Sequence, residues 1–399
     1  MPQGFRHLGH QNHGLPLKLF EMDAASVWTR RGFLAAGGIL AAGCGGKHAE
    51  GHRGFAYVAV AGSRTVAAVD LLSFTLRRGI ALSCQPSLLI AHPDPAKPVA
   101  FVGGKTDDGT AVLEQVDLAH GKSVARVVAG TGNPVVRKDH RGFIWTSAGD
   151  AKLHAWSAGN LRPMAQVSLA ARAIDFDVAP ALPLACVCLE GGLAQFVDLA
   201  AGKAFAPVRL GAEATAVRFR WDGRVAMVAL RKESLLSVID AAARRIMTEL
   251  PLALRPDHFC FTSDGGQLFI TGEGRDAVVI VYPYQTEVAQ TSLSGRRPGQ
   301  MACSSTPSYL FVSNPAAGSV SVFDTETQKV VAITGVGVQP GPIVVTPDQQ
   351  YALVLNQGSG DLGVIRIGSI KQGRAKRAPL FTMVPVGGVP VAAVVRSVG

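Results

Sequence analysis

Arg255, His258, Arg296 and Arg297 are the side chains of this sequence best suited to chemistry. A guanidinium group presents a planar fork of donors that matches carboxylate or phosphate oxygens. An imidazole beside it adds a group whose charge can change near neutrality. These residues therefore read as a ligand-binding set for an anion. Asp257 between Arg255 and His258 also gives the elements of a hydrolytic acid–base cluster, but a short and local one. Other catalytic patterns are missing from the sequence. No CxxCH offers covalent haem attachment. No GxSxG, Walker-type or dinucleotide-binding glycine motif stands in a strand–helix setting. His92, His120, His140 and His154 show no metal spacing, and His48 and His52 flank Gly51 in a stretch read as a tether. No catalytic residue, metal or cofactor is called for, so the residues point to a binding module more than to an enzyme.

The cysteines support that reading. Once Cys44 is set aside, Cys84, Cys186, Cys188, Cys260 and Cys303 remain. An odd number argues against a full disulfide framework. Cys186 and Cys188, two apart on one strand, share a face. Cys260 and Cys303 hold equivalent places in adjacent repeats. All five read as small buried hydrophobes.

The elements that must position these groups come from a repeat. Apolar strands recur at Tyr57, Phe101, Ile144, Cys186, Met227, Phe269, Phe311 and Leu353, with gaps of 44, 43, 42, 41, 42, 42 and 42 residues. A period of that size marks a radial array of small sheets, because one unit cannot bury its own faces and must stack on neighbours. Each unit holds four short β-branched runs separated by Gly, Asn, Pro and Asp. An Asp closes the second run at Asp70, Asp117, Asp198, Asp240 and Asp324, where its carboxylate can accept from the following turn. A Pro opens the fourth run at Pro86, Pro134, Pro256, Pro298, Pro340 and Pro390. Read as an outer-strand residue, it would blunt an exposed edge. Ser234–Leu250 has helical composition, but Asp240 falls at the turn position, and two strands are expected there.

The stretch from Asn314 to Asp348 resembles the YVTN β-propeller repeat: a strand ending in Asn, then Val320-Ser321-Val322-Phe323-Asp324, a valine-rich run, and Pro340 to Pro347-Asp348. Asn356 repeats the Asn. The resemblance extends over residues 55–399 and is sharpest in the first and the fifth to eighth repeats. It implies an all-β propeller of four-stranded blades: eight by repeat count, or seven, the usual number in that family, if an end quartet pairs across the closure. Such a fold specifies function weakly. Propellers similar to it hold d1 haem, serve quinone-dependent dehydrogenases or act as lactonases. A haem-binding reading would need an axial histidine, and His258 is the candidate nearest a channel mouth.

The N-terminal stretch reads as export machinery. Thr29-Arg30-Arg31-Gly32-Phe33-Leu34 matches a twin-arginine signal, with Arg30 and Arg31 as the pair. The apolar run to Gly43 is shorter than the roughly 20 residues that span a bilayer. Cys44, after Leu40-Ala41-Ala42-Gly43, resembles the lipid-modified cysteine of a bacterial lipobox. The expected organisation is signal over 1–44, flexible tether over 45–54 and propeller over 55–399, with Met22 as an alternative start. The expected location is the periplasmic face of a bacterial membrane, with a lipid anchor.

Net charge is +10 over the 399 residues, and +8 after residue 43 (35 Lys/Arg against 27 Asp/Glu). That balance suits an anionic ligand or a protein partner rather than nucleic acid, because the basic residues form no continuous stripe. The loops expected on one face mix Arg231, Arg255, Arg275, Arg296 and Arg297 with Asp257, Glu273 and Asp276. A separate basic loop, Lys371–Arg377, suits anionic lipid headgroups.

Overall fold

Eight four-stranded antiparallel sheets make up the chain in its computed structural model, which describes residues 51–370 and 380–397. Arg30, Arg31, Cys44 and the basic loop lie outside the described residues. Blade 1 joins Pro390–Ser397, Gly54–Val60, Thr65–Asp70 and Thr75–Ala81, in order from the channel outward. Blade 2 runs through Gln85–Ala91, Val99–Lys105, Thr110–Asp117 and Lys122–Thr131. Blade 3 is Val135–Lys138, Phe143–Ser147, Lys152–Ser157 and Pro163–Ser168, and blade 4 is Ala173–Val178, Leu184–Leu189 and Leu193–Asp198 with an outer strand in two pieces, Lys203–Ala204 and Val208–Arg209. Blade 5 is Ala216–Phe219, Val225–Leu230, Leu235–Asp240 and Arg245–Pro251. Blade 6 is Arg255–Phe261, Leu268–Glu273, Ala277–Tyr282 and Glu287–Leu293. Blade 7 is Met301–Cys303, Tyr309–Asn314, Ser319–Asp324 and Lys329–Gly335. Blade 8 is Pro340–Val345, Tyr351–Asn356, Asp361–Arg366 and Leu380–Pro385.

Burial explains this layering. The second and third strands of each blade are almost wholly buried, as in Val225–Leu230, so they need not alternate. The last strand is mostly exposed, as in Thr75–Ala81. Apolar side chains of neighbouring sheets meet in a separate cluster at each of the eight blade interfaces. Each fully buried Val, Leu or Phe contributes about 1.5–3 kcal/mol there. Because the clusters run continuously from blade 1 round to blade 8 and back, the ring is closed.

Two expectations about the repeat meet the structure differently. The Asp landmarks are Asx turns: Asp198 Oδ1, for example, accepts from the backbone N–H of Ala200 and Ala201, both at 2.9 Å. The Pro landmark is corrected. The run that it opens is the innermost strand of the following blade, not an outer one, and all six prolines are buried. The edge left unpaired faces the channel, where a missing N–H costs no ladder bond.

The same offset settles the blade count. The last run of the chain, Pro390–Ser397, pairs with Gly54–Val60 and completes blade 1. Every repeat lends its fourth run forward, so the count stays at eight. Ser234–Leu250 forms two strands, because the blade interfaces reward them more than local helix propensity does. The docked chain starts at or before His52, which is 5% exposed; its Nδ1 lies 2.8 Å from Asp348 of blade 8, and its Nε2 lies 3.3 Å from Ser397 Oγ of blade 1.

Candidate ligand site at the channel mouth

The inner strand of blade 6 carries Arg255, Asp257 and His258. Its register against Leu268–Glu273 slips between Pro256 and His258, a bulge that re-aims the intervening side chains. Gly272 lies opposite. A Cβ there would stand 1.7 Å from the carbonyl oxygen of Arg255, so only glycine permits this approach. The next blade is fastened at the same level by Thr271 Oγ1, which donates to the carbonyl of Gly299 at 2.6 Å.

His258 is half-buried at this point. The Gln300 side-chain amide lies 3.2 Å from its Nδ1. Burial holds the imidazole below its ordinary pKa, Arg218 pushes the same way, and Asp257 opposes them. His258 is therefore a neutral ring at pH 7. Its other nitrogen, Nε2, has no hydrogen-bond partner among the described residues.

Two recesses share this residue. One, of about 560 Å3, includes Gln85, Lys105, His258, Gln300 and Gln357 in its lining. The other, of about 730 Å3, includes Arg231, Asp257, Glu273, Arg275 and Arg297 with His258. His258, Gly299, Pro315 and Gln357 line both, so they form one funnel at the mouth of the channel. Volumes of this order hold small organic ligands.

The sequence-predicted residues separate here. His258 and Arg297 line the same recess. Arg255 is tied at the rim to Glu273, 3.5 Å away. Arg296 is exposed and lines neither recess. Arg297 adopts a left-handed backbone (φ 53°), with its N–H donating to Asp276 Oδ1 at 2.8 Å.

Pairing removes much of the charge. Arg231 reaches Asp257 at 2.5 Å and Glu273 at 2.9 Å. Among the described residues Lys105, Arg275 and the Arg297 guanidinium have no ion-pair partner, so they are the cations open to a ligand.

Along the inner strands of blades 3 to 5 lies a network that the sequence reading missed. Arg137, Asp175, Asp177 and Arg218 stand on the inner strands of blades 3, 4 and 5. Asp175 takes Arg137 at 2.9 Å and Arg218 at 2.7 Å, and Arg137 also lies 3.6 Å from Asp177. Backbone N–H groups of Val217 and Phe219 donate to Asp175 and Asp177 at 3.2 and 2.8 Å. Burial raises the Asp177 carboxyl above its ordinary pKa despite both arginines, and it lowers that of Arg137. The available signal was charge in runs that elsewhere carry Val, Ile or Leu, but it has meaning only once those runs are known to line the channel.

Among the described residues no group of three His, Cys, Asp or Glu side chains is placed to hold a metal ion, and no helix is long and apolar enough to cross a membrane.

No protein-family model matches the sequence, and no curated protein matches it. Solved structures do match in fold. Dihydro-haem d1 dehydrogenase NirN, in complex with DHE, superposes with a TM-score of 0.68 over 85% of this chain and 74% of that one, at 16% identity. The hydrazine synthase of Kuenenia stuttgartiensis gives a TM-score of 0.55 over 72% and 96%, also at 16% identity. The β-propeller domain of Cps50 (Swd1) from Myceliophteria thermophila gives 0.55 over 71% and 97%, at 14% identity. At these identities the likeness is one of fold.

Proposed function

We propose that this protein is a binding propeller whose channel mouth captures a carboxylate- or phosphate-bearing ligand, free or carried on a protein partner. The observation behind this reading is the convergence of Lys105, Arg275 and Arg297, without ion-pair partners, on a funnel that also holds the neutral His258. In such a site Arg297 and Arg275 bind the anionic oxygens, and His258 Nε2 donates one further hydrogen bond. Calorimetric titration with citrate and with pyrophosphate at low salt tests it. Binding should weaken about tenfold in Arg297→Ala, the scale of one charge-assisted hydrogen bond, and fade as salt is raised. Equal affinity in wild type and Arg297→Ala would remove the assignment.

Export and anchoring belong to the same proposal. Arg30 and Arg31 act as the signal pair and Cys44 as the lipidated residue, with the propeller carried folded to the periplasmic side of a bacterial membrane. The support is the order of arginine pair, apolar run and small residues before Cys44. Fractionating cells that express Cys44→Ser should move the protein from membrane to soluble fraction. Unchanged membrane association would refute the anchor.

A second reading, a haem-type macrocycle in the funnel, is favoured by His258 and by the likeness to NirN, whose structure holds DHE. The residues fit in part. His258 offers one nitrogen, Pro86, Pro340, Pro342 and Val391 offer apolar wall, and Lys105, Arg275 and Arg297 offer partners for carboxylates. When bound, the macrocycle would supply redox chemistry. The chain would hold its iron through His258 Nε2 in the other tautomer, with the proton on Nδ1 and the Gln300 amide turned to accept it, and would neutralise its acids. Adding haem and recording the absorption spectrum decides: a Soret shift in wild type that is lost in His258→Ala supports this reading, and identical spectra exclude it.

A further inference from the structure

The inner strands of blades 6 and 7 bring Cys260 Sγ and Cys303 Sγ to 3.6 Å. No other two sulfurs are in contact among the described residues; Cys84, Cys186 and Cys188 are free and buried. Cys260 and Cys303 are only partly buried and pack at the interface of Phe269 and Ile280 with Leu310 and Phe323. We propose that these two thiols are a redox-modification site, closing to a disulfide that fastens blade 6 to blade 7 in the channel wall.

Three observations carry this inference. The sulfurs already touch, and a disulfide needs them at about 2.05 Å, a closure of about 1.5 Å that side-chain rotation can supply. The blades that carry them are held together independently: Thr271 bonds Gly299 at 2.6 Å, and Gln300 lies 3.2 Å from His258. The surroundings are apolar, and exchanging two thiols for an uncharged disulfide gives up only the weak contact of Cys260 Sγ with the Phe261 carbonyl at 3.7 Å. His258 and Cys260 stand two residues apart on one strand, which places the pair about 7 Å along the strand from the funnel residue.

The oxidant we assign is hydrogen peroxide entering through the mouth. One thiol attacks the peroxide oxygen, giving a sulfenic acid and one water. The second thiol displaces the hydroxyl group from the sulfenic sulfur, forming the S–S bond and a second water. Two electrons pass from the sulfurs to the O–O bond, and one proton from each thiol ends in water. The hydrogen bond with the neighbouring Cys260 thiol, and after it burial, raise the Cys303 pKa well above the ordinary thiol value, so reaction at neutral pH is slow and quickens as pH rises.

The test is a non-reducing peptide map of the full chain treated with hydrogen peroxide, its remaining thiols alkylated after denaturation. The expected product is one cross-linked pair carrying Cys260 and Cys303. Two free thiols per chain should disappear, and dithiothreitol should restore both. The thermal midpoint should rise on oxidation in wild type and stay fixed in Cys303→Ser. Alkylation of both residues as complete as that of Cys84, separate oxidation to sulfinic acids, or a cross-link between another pair would each overturn the proposal. None of these outcomes depends on what the channel mouth binds.

Discussion

Gln300 donates its side-chain amide to Nδ1 of His258 at 3.2 Å, joining blade 7 to blade 6 at the channel mouth. An amide nitrogen can only donate, so this bond assigns Nδ1 the lone pair and leaves the ring proton on Nε2. The functional face of the ring is thus set by a residue from the next repeat.

Stability should fall with acid through this ring. Its folded pKa lies below the ordinary histidine value because burial disfavours the charged form, and His92 is shifted the same way by the same cause. As pH drops, the unfolded chain takes up these protons first. The contribution is therefore complete above about pH 6.5 and is lost as pH falls from there toward the folded-state values. Urea unfolding between pH 7.5 and about 5 should show a shallower decline for His92→Gln/His258→Gln than for wild type. An unchanged slope would refute the assignment.

Removing one partner from the channel network should be costly. Asp175, with its side chain 12% exposed, answers both Arg137 and Arg218 and takes the Val217 N–H. Asp175→Asn leaves two arginines facing Asp177 alone. The expected loss is about 3 kcal/mol, the low end for breaking a buried pair, because channel water reaches these groups. Equal midpoints for wild type and Asp175→Asn in denaturant would contradict this account.

Gly272→Ala should damage the mouth without touching a ligand directly. The added methyl meets the Arg255 carbonyl at 1.7 Å, so the bulge that aims His258 must shift. A stability loss of about 1–3 kcal/mol is expected, as for overpacking elsewhere. Weaker binding of citrate or pyrophosphate should accompany it. Gly62→Ala, which has open space around its Cβ position and no left-handed backbone, is the neutral comparison.

Closure should depend on the last strand. Pro390–Ser397 supplies the inner strand of blade 1, and Ser397 meets His52 at 3.3 Å. Ending the chain at residue 389 uncovers both Gly54–Val60 and the clusters on either side of blade 1. Broad, non-cooperative melting and aggregation are the expected outcome. A sharp, wild-type-like transition would mean that the ring does not need this strand.

The repeat itself was legible because strand and turn signals are local. Asp198 caps its own turn and Val320–Asp324 is apolar at every second place, so period and turn chemistry could be read without a partner in view, while the choice between eight and seven blades waited for the closing strand. Inner and outer strands could not. Pro256 is buried at the start of a half-buried channel strand rather than on an exposed outer edge because strands pair forward into the next blade, a choice made by closure and not by any one repeat. The same holds at the mouth. Arg255 and Arg297 look alike in the chain, yet Glu273 takes the first while the guanidinium of the second is left without a partner. Composition and spacing determined a wheel of small sheets. Which charges meet across its blades, and which remain for a ligand, followed from distances between residues some 20–80 positions apart, which a linear pattern does not encode.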